Sequence, residues 1–315
     1  MNYKEIVAEA WEFTQENKSI AIWYGAVPAF FSTSIGIGYI IYQYYAFLSS
    51  VLFQHWTHSF LSLVFINSLS FLQANRGFIT PLLIVLVIGL IGYFFVPVVS
   101  QGALIQLIAR KHNGQNIKIR QGISYGLMSF LQLFEYSLFI KTFSVGSVFS
   151  IFATTIRSLG LQVLGLLAPV FILVIGIGLI MAVFFIYSEF FIVIDGDGVF
   201  TSITKSVNLV FRHMEETVLL SILMLIIGVR IILQLIFIML IPGVAFGIFY
   251  LFTLANLPGL AIIIGGAFGV IGLLMASYLN GLIHTFEVTV WTMSFLKLTS
   301  TESVNARGVL PKKED

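Results

Sequence analysis

Apolar residues in this chain come in long runs rather than in alternation. Six stretches are nearly free of charge: Ile20–Ile41, Ile79–Ile108, Phe130–Ala153, Leu161–Ile194, Val218–Ile241 and Leu260–Phe295. A hydrocarbon core of about 30 Å is crossed by about 20 apolar residues in a helix. None of the runs shows the strict two-residue period of a barrel strand, and a helix satisfies its own backbone in lipid. The pattern predicts an all-α integral membrane protein with six transmembrane helices. Glu135 and Lys141 interrupt the third run. The fourth and sixth exceed one bilayer thickness, so they tilt, kink or continue past the lipid.

Three segments ahead of spans carry apolar residues at helical spacing with charges off the stripe, the pattern of a helix lying flat in the headgroup region. The stripes are Tyr3, Ile6, Val7, Ala10, Trp11 and Thr14; then Ile119, Ile123, Leu127, Phe130 and Phe134; then Phe200, Ile203, Val207, Val210, Phe211 and Met214. Ala10, Gly126 and Ser206 hold similar positions in the three. The expectation is three repeats, each an interfacial helix followed by a helical hairpin. Residues 1–19 form the N-terminal interfacial helix, 20–299 the polytopic domain and 300–315 a disordered cytoplasmic tail. In the long connection after the first span, residues 51–72 are apolar enough for a further helix, but Gln54, His55, His58 and Asn67 argue against a span.

Composition agrees with a lipid-facing surface. Hydrophobic residues make up 58% of the 315 and charged residues only 10%, where soluble domains carry roughly 25% charged residues. Twelve of the 16 basic residues fall on the side that holds the N-terminus, two (Arg76 and Arg157) on the other, and Lys141 and Arg230 remain within spans. That bias places both termini in the cytoplasm and the chain in the inner membrane. The first 19 residues are polar and acidic, and the run that follows is too long for a signal sequence. With no cysteine, disulfides, thiolate metal sites and cysteine nucleophiles are excluded. A net charge of +2 gives no reason to expect nucleic acid.

The opening Ala10-Trp11-Glu12-Phe13 with Asn17-Lys18 resembles a group of bacterial multi-pass proteins. So does Phe190-Phe191-Ile192-Val193-Ile194-Asp195-Gly196-Asp197-Gly198, followed by Ser202 and Lys205-Ser206. The group includes the membrane domain fused to some glycerophosphoryl diester phosphodiesterases and free-standing relatives of unknown role. The resemblance implies the multi-pass fold across nearly the whole chain. Where a phosphodiesterase is fused, catalysis belongs to the soluble domain, which this chain lacks, so no activity is implied.

Candidate chemistry is sparse. Gly122-Ile123-Ser124-Tyr125-Gly126 matches a nucleophile elbow in letters, but an elbow needs a strand-to-helix turn and these residues fall in an amphipathic helix. His284 is the base an intramembrane serine enzyme would need, and no oxyanion donor accompanies it. His55 and His58 share a face without the further ligands a metal requires. His284 and Glu287 share another, with only Glu135 and Glu189 to complete a carboxylate site. Asp195-Gly196-Asp197-Gly198 lacks a glutamate at the twelfth position of a calcium loop and reads as a turn. Ala261, Gly265, Gly269, Gly272 and Ala276 make a small-residue stripe suited to close helix packing.

The polar groups that stand out are Arg230, with Gln234 one turn away, and Glu135 and Lys141; these are the substrate-pathway or buried polar candidates. Glu135 is the preferred partner of Arg230. No catalytic residue, metal or cofactor is expected. The expected function is non-enzymatic: a scaffold, assembly or regulatory partner of another membrane component, with lipids and a second membrane protein or copy as partners. The alternative is a transporter or channel-like protein for a small or lipidic substrate.

Overall fold

The structure is a computed structural model that describes residues 3–48, 73, 76–115, 117–142, 145–160, 162, 164–229, 247, 251 and 258–308. Every regular element among the described residues is helical: α1 (Tyr3–Glu16), α2 (Val27–Leu48), α3 (Ile79–His112), α4 (Gln121–Met128), α5 (Phe130–Thr142), α6 (Val145–Leu159), α7 (Leu164–Phe184), α8 (Val199–Arg212) and α9 (Pro258–Gly308). A further helical stretch covers 214–229. Among the described residues, four stretches are long and apolar enough to cross a membrane: Lys18–Ile40, Ile79–His112, Gly165–Phe184 and Ile264–Ser300. The bent pair Gln121–Met128 and Phe130–Ile140 makes a fifth if it counts as one span. The chain is an all-α membrane protein.

Helix α5, which opens the expected run Phe130–Ala153, turns 61° from α4, and residues 143 and 144 between α5 and α6 lie outside the described residues. One expected span is divided. The run Leu161–Ile194 stops at Phe184, turns over 185–187, and resumes in a single turn Ser188–Phe190 and a π-helical turn Phe191–Asp195. Ser206 of α8 makes that break affordable in lipid. Its hydroxyl donates to the Phe184 carbonyl at 2.8 Å and accepts the Tyr187 N–H at 3.1 Å, satisfying groups that a helix end leaves orphaned.

Three times a short helix ends on one turn residue and a second begins at once: α1 at Asn17, α4 at Ser129 and α8 at His213. Asn17 and Ser129 cap their breaks from the side chain, donating to the carbonyls of Phe13 (2.8 Å) and Tyr125 (3.2 Å). Seven residues before each break lies a small buried residue, Ala10, Gly122 or Ser206. Tyr24, Tyr136 and Leu220, also buried, lie seven residues after. The position matching Ala10 and Ser206 is therefore Gly122, not Gly126; sequence spacing could not choose between two glycines one turn apart.

The described residues fall into two compact units. One comprises 1–30, 97–134 and 183–315. Its core gathers Ile6, Ile20, Leu104, Ile108, Tyr187, Leu220, Met293 and Phe295. Here α9 packs on α1 and on the π-helical turn Ala21–Ala26. A Cβ on Gly25 would meet the Thr285 hydroxyl at 2.6 Å, and one on Gly281 would collide with the Ala26 backbone. This approach lies beyond the stripe expected at Ala261–Ala276. Trp291 is buried against Tyr187, ring centroids 6.0 Å apart, whereas Trp11 and Trp23 stay exposed as interfacial anchors do. On α8 the packed face is Val199, Ser202, Ser206, Leu209 and Val210, so of the expected stripe only Val210 is buried; Phe200 and Phe211 point outward.

The other unit comprises 31–96 and 135–182. Leu83 through Ile88 on α3 and Val170, Ile172 and Leu173 on α7 are exposed, an arrangement that water would penalise and lipid would not. Its polar cluster lies between α2 and α6. Arg157 donates to the side-chain Oε1 of Gln43 at 3.1 Å and stands 5.8 Å over the Tyr42 ring, while Tyr39 bonds both Gln43 and Ser150.

Candidate functional site

Arg230 and Gln234 lie outside the described residues, as do His55 and His58 and the stretch 51–72. The Arg230–Glu135 pair therefore stays an expectation. Glu135 is exposed on α5, and Lys141 lies in the last turn of the same helix. Ser124 is exposed on α4, while Gly122 and Gly126 are buried. Gly126 lies against the Val99 carbonyl, where a side chain would collide, and Gly122 against Leu107 and the Tyr24 ring. The paired glycines thus serve helix contact. Gly196 adopts a left-handed φ of 76° that ends the π-helical turn, and Lys205 closes the loop on Asp197 at 2.6 Å and Asp195 at 3.9 Å, which fits the expected turn.

Polar side chains converge elsewhere. Gln101 of α3 donates from Nε2 to Glu189 Oε2 at 2.7 Å, and His284 Nε2 of α9 meets Gln101 Oε1 at 2.9 Å. Glu287, one turn beyond His284, feels the charge of Glu189. Three chain segments remote in sequence thus share one line of hydrogen bonds. Gln101 and His284 both lie within helices long and apolar enough to cross a membrane, Ile79–His112 and Ile264–Ser300.

The direction of each bond can be deduced. An ionised Glu189 only accepts, so Gln101 must offer it the amide NH2. The Gln101 carbonyl then faces His284, which must donate from Nε2–H. In the neutral imidazole Nδ1 is left as an acceptor. With Glu189 ionised and His284 neutral, the cluster offers the Nδ1 lone pair beside the acidic side chains of Glu189 and Glu287, which favours a ligand group that donates hydrogen bonds or carries positive charge.

Neighbouring polar contacts hold the segments. Gln106 donates to the Val193 carbonyl; Lys111 reaches Asn17 Oδ1 at 2.5 Å; Glu9 of α1 lies 3.6 Å from Lys297 and 3.4 Å from His112. The Ser188 and Ser202 hydroxyls are fully buried with no hydrogen-bond partner among the described residues, each at a cost of about 1–3 kcal/mol. No group of three or more His, Asp or Glu among the described residues is arranged to hold a metal ion.

Sequence reasoning weighed His284, Glu287 and Glu189 as metal ligands and missed Gln101 altogether. The available signal was a glutamine inside the run Val96–Ile108, since a polar side chain at membrane depth needs a partner. Comparison with known proteins gives no match to any family model, curated protein or solved structure.

Proposed function

We propose that this chain is a non-enzymatic, multi-pass protein of the cytoplasmic membrane that carries a small or lipidic substrate past the Glu189–Gln101–His284 chain. The substrate class is one bearing an amine, hydroxyl or other hydrogen-bond donor. In this proposal both termini are cytoplasmic, and six spans are arranged as three repeats of an interfacial helix and a hairpin. The three breaks at Asn17, Ser129 and His213, with their matched buried positions, support the repeat. The likeness to the membrane domain fused to glycerophosphoryl diester phosphodiesterases belongs to the same proposal and brings no catalysis.

One observation carries the transport reading over the scaffold reading. A hydrogen-bonded histidine, glutamine and glutamate join three helical segments, two of them helices apolar enough to cross a membrane. Ionisable groups within such helices are costly and mark substrate or ion pathways.

The natural absence of cysteine makes the test clean. His284→Cys and Gln101→Cys, made singly, should react in inside-out vesicles with a small, charged, membrane-impermeant thiol reagent. Tyr187→Cys, at a fully buried position, should not. Protection of both His284→Cys and Gln101→Cys in a normally folded protein would overturn the pathway and leave the scaffold reading, which co-purification with one stoichiometric membrane partner would then support.

A further inference from the structure

Arg110 lies on the last turn of α3, 31 residues beyond Ile79 and so past the hydrocarbon core. Its side chain is held on two sides. Nε donates to Gln106 Oε1 at 3.0 Å, and Gln106 is itself fixed by its bond to the Val193 carbonyl. The guanidinium stands 4.4 Å over the ring of Tyr125 on α4, a cation–π distance. Neither terminal nitrogen has a hydrogen-bond partner among the described residues, and no carboxylate pairs with the group there. Three other cations of this unit are engaged: Lys111 by Asn17, Lys205 by Asp197 and Lys297 by Glu9. Arg110 is therefore an oriented fork with its terminal N–H groups unused, a geometry suited to the paired oxygens of a phosphate.

The surroundings select the kind of phosphate. Between Glu16 and Glu135 the sequence has no acidic residue, while Lys118 and Arg120 are exposed in the loop that leads into α4. That loop is anchored by Tyr24, whose hydroxyl donates to the Ile119 carbonyl at 2.6 Å. On α4, Ile123, Leu127 and Met128 flank Tyr125 and are all more than half exposed. A free anion has no use for that apolar flank, whereas an acyl chain does. We propose that Arg110, seated on Tyr125, binds the phosphodiester of an anionic membrane phospholipid, with its acyl chain along Ile123 and Leu127. Lys118 and Arg120 supply the positive field that favours an anionic headgroup.

The test uses the intact chain, delipidated in detergent, with phosphatidylglycerol titrated and bound lipid counted by native mass spectrometry. The first lipid should bind more tightly than later ones. A charge-assisted bond is worth about 1.5–3 kcal/mol, and 1.4 kcal/mol is tenfold, so Arg110→Gln should weaken that first binding by roughly tenfold or more. Arg110→Lys should recover only part of it, because the ammonium lacks the fork. Gln106→Leu and Tyr125→Leu keep the charge and remove its supports; each should weaken binding several-fold, and they serve if Arg110→Gln fails to fold. Diacylglycerol should not be retained, and inorganic phosphate in millimolar excess should not displace the lipid. Unchanged phosphatidylglycerol binding in Arg110→Gln, or in both support variants, would overturn the site. Displacement by inorganic phosphate would overturn its assignment to lipid.

Discussion

Replacing Gly281 with alanine adds one methyl group where α9 meets the π-helical turn Ala21–Ala26. The new carbon would collide with the Ala26 backbone and with Gly25. Side-chain obstacles can rotate away; these are main-chain atoms inside helices, and relief requires the two segments to part. Overpacking costs typically about 1–3 kcal/mol, and backbone obstacles put this substitution at the top of that range, about 3 kcal/mol. Alanine's better helix propensity offsets about 1 kcal/mol, leaving a net loss of about 2 kcal/mol. At about 2–4 °C per kcal/mol for a folding unit of this size, the melting temperature should fall by about 4–8 °C. Gly269→Ala on the same helix is the control. Nothing lies within 4 Å of a Cβ there, so propensity acts alone and the melting temperature should hold or rise by about 2–4 °C. Thermal loss of the monodisperse peak in fluorescence-detected size exclusion reads both variants. Gly281→Ala melting no lower than Gly269→Ala would refute a backbone contact at this position.

Two further outcomes are expected. Burial raises the Asp195 carboxyl above its ordinary value, with Lys205 opposing and Asp197 adding to the rise; its stabilising contribution is thus present in acid and lost as pH rises through the folded value. Asp195→Asn should therefore melt at or above the wild-type temperature at pH 7, an advantage that shrinks as the pH approaches 4. The hydrogen bond to Asp197 raises the Lys205 ammonium, so its contribution persists to high pH, and Lys205→Met should lower the melting temperature at pH 7. The opposite order of the two variants across a pH series of melting curves would contradict these signs. On α8, Ser202→Cys and Ser206→Cys should resist an impermeant thiol reagent in inside-out vesicles because they face protein, and Phe200→Cys because it faces lipid. Lys205→Cys and Asn208→Cys should react quickly; equal rates at Phe200 and Lys205 would place the whole helix in water.

The apolar runs alone specified a helical membrane protein, because the energy of placing a segment in lipid is a sum over its own residues. Close packing by small residues was legible as a type of contact, but the approach of Gly25 to Gly281, which lies beyond the stripe Ala261–Ala276, was not. Which glycines touch depends on the rotation of both helices, which the chain fixes only after packing. The division of Leu161–Ile194 escaped hydropathy for a similar reason. The break is stabilised by Ser206, a residue outside the run, whose hydroxyl satisfies the backbone at Phe184 and Tyr187. That break turns Glu189 toward Gln101 and His284, so the candidate site exists only once the turn has formed. A hydropathy sum is local and has no direction; a hydrogen bond between residues 183 positions apart depends on how the helices pack and which faces they show one another.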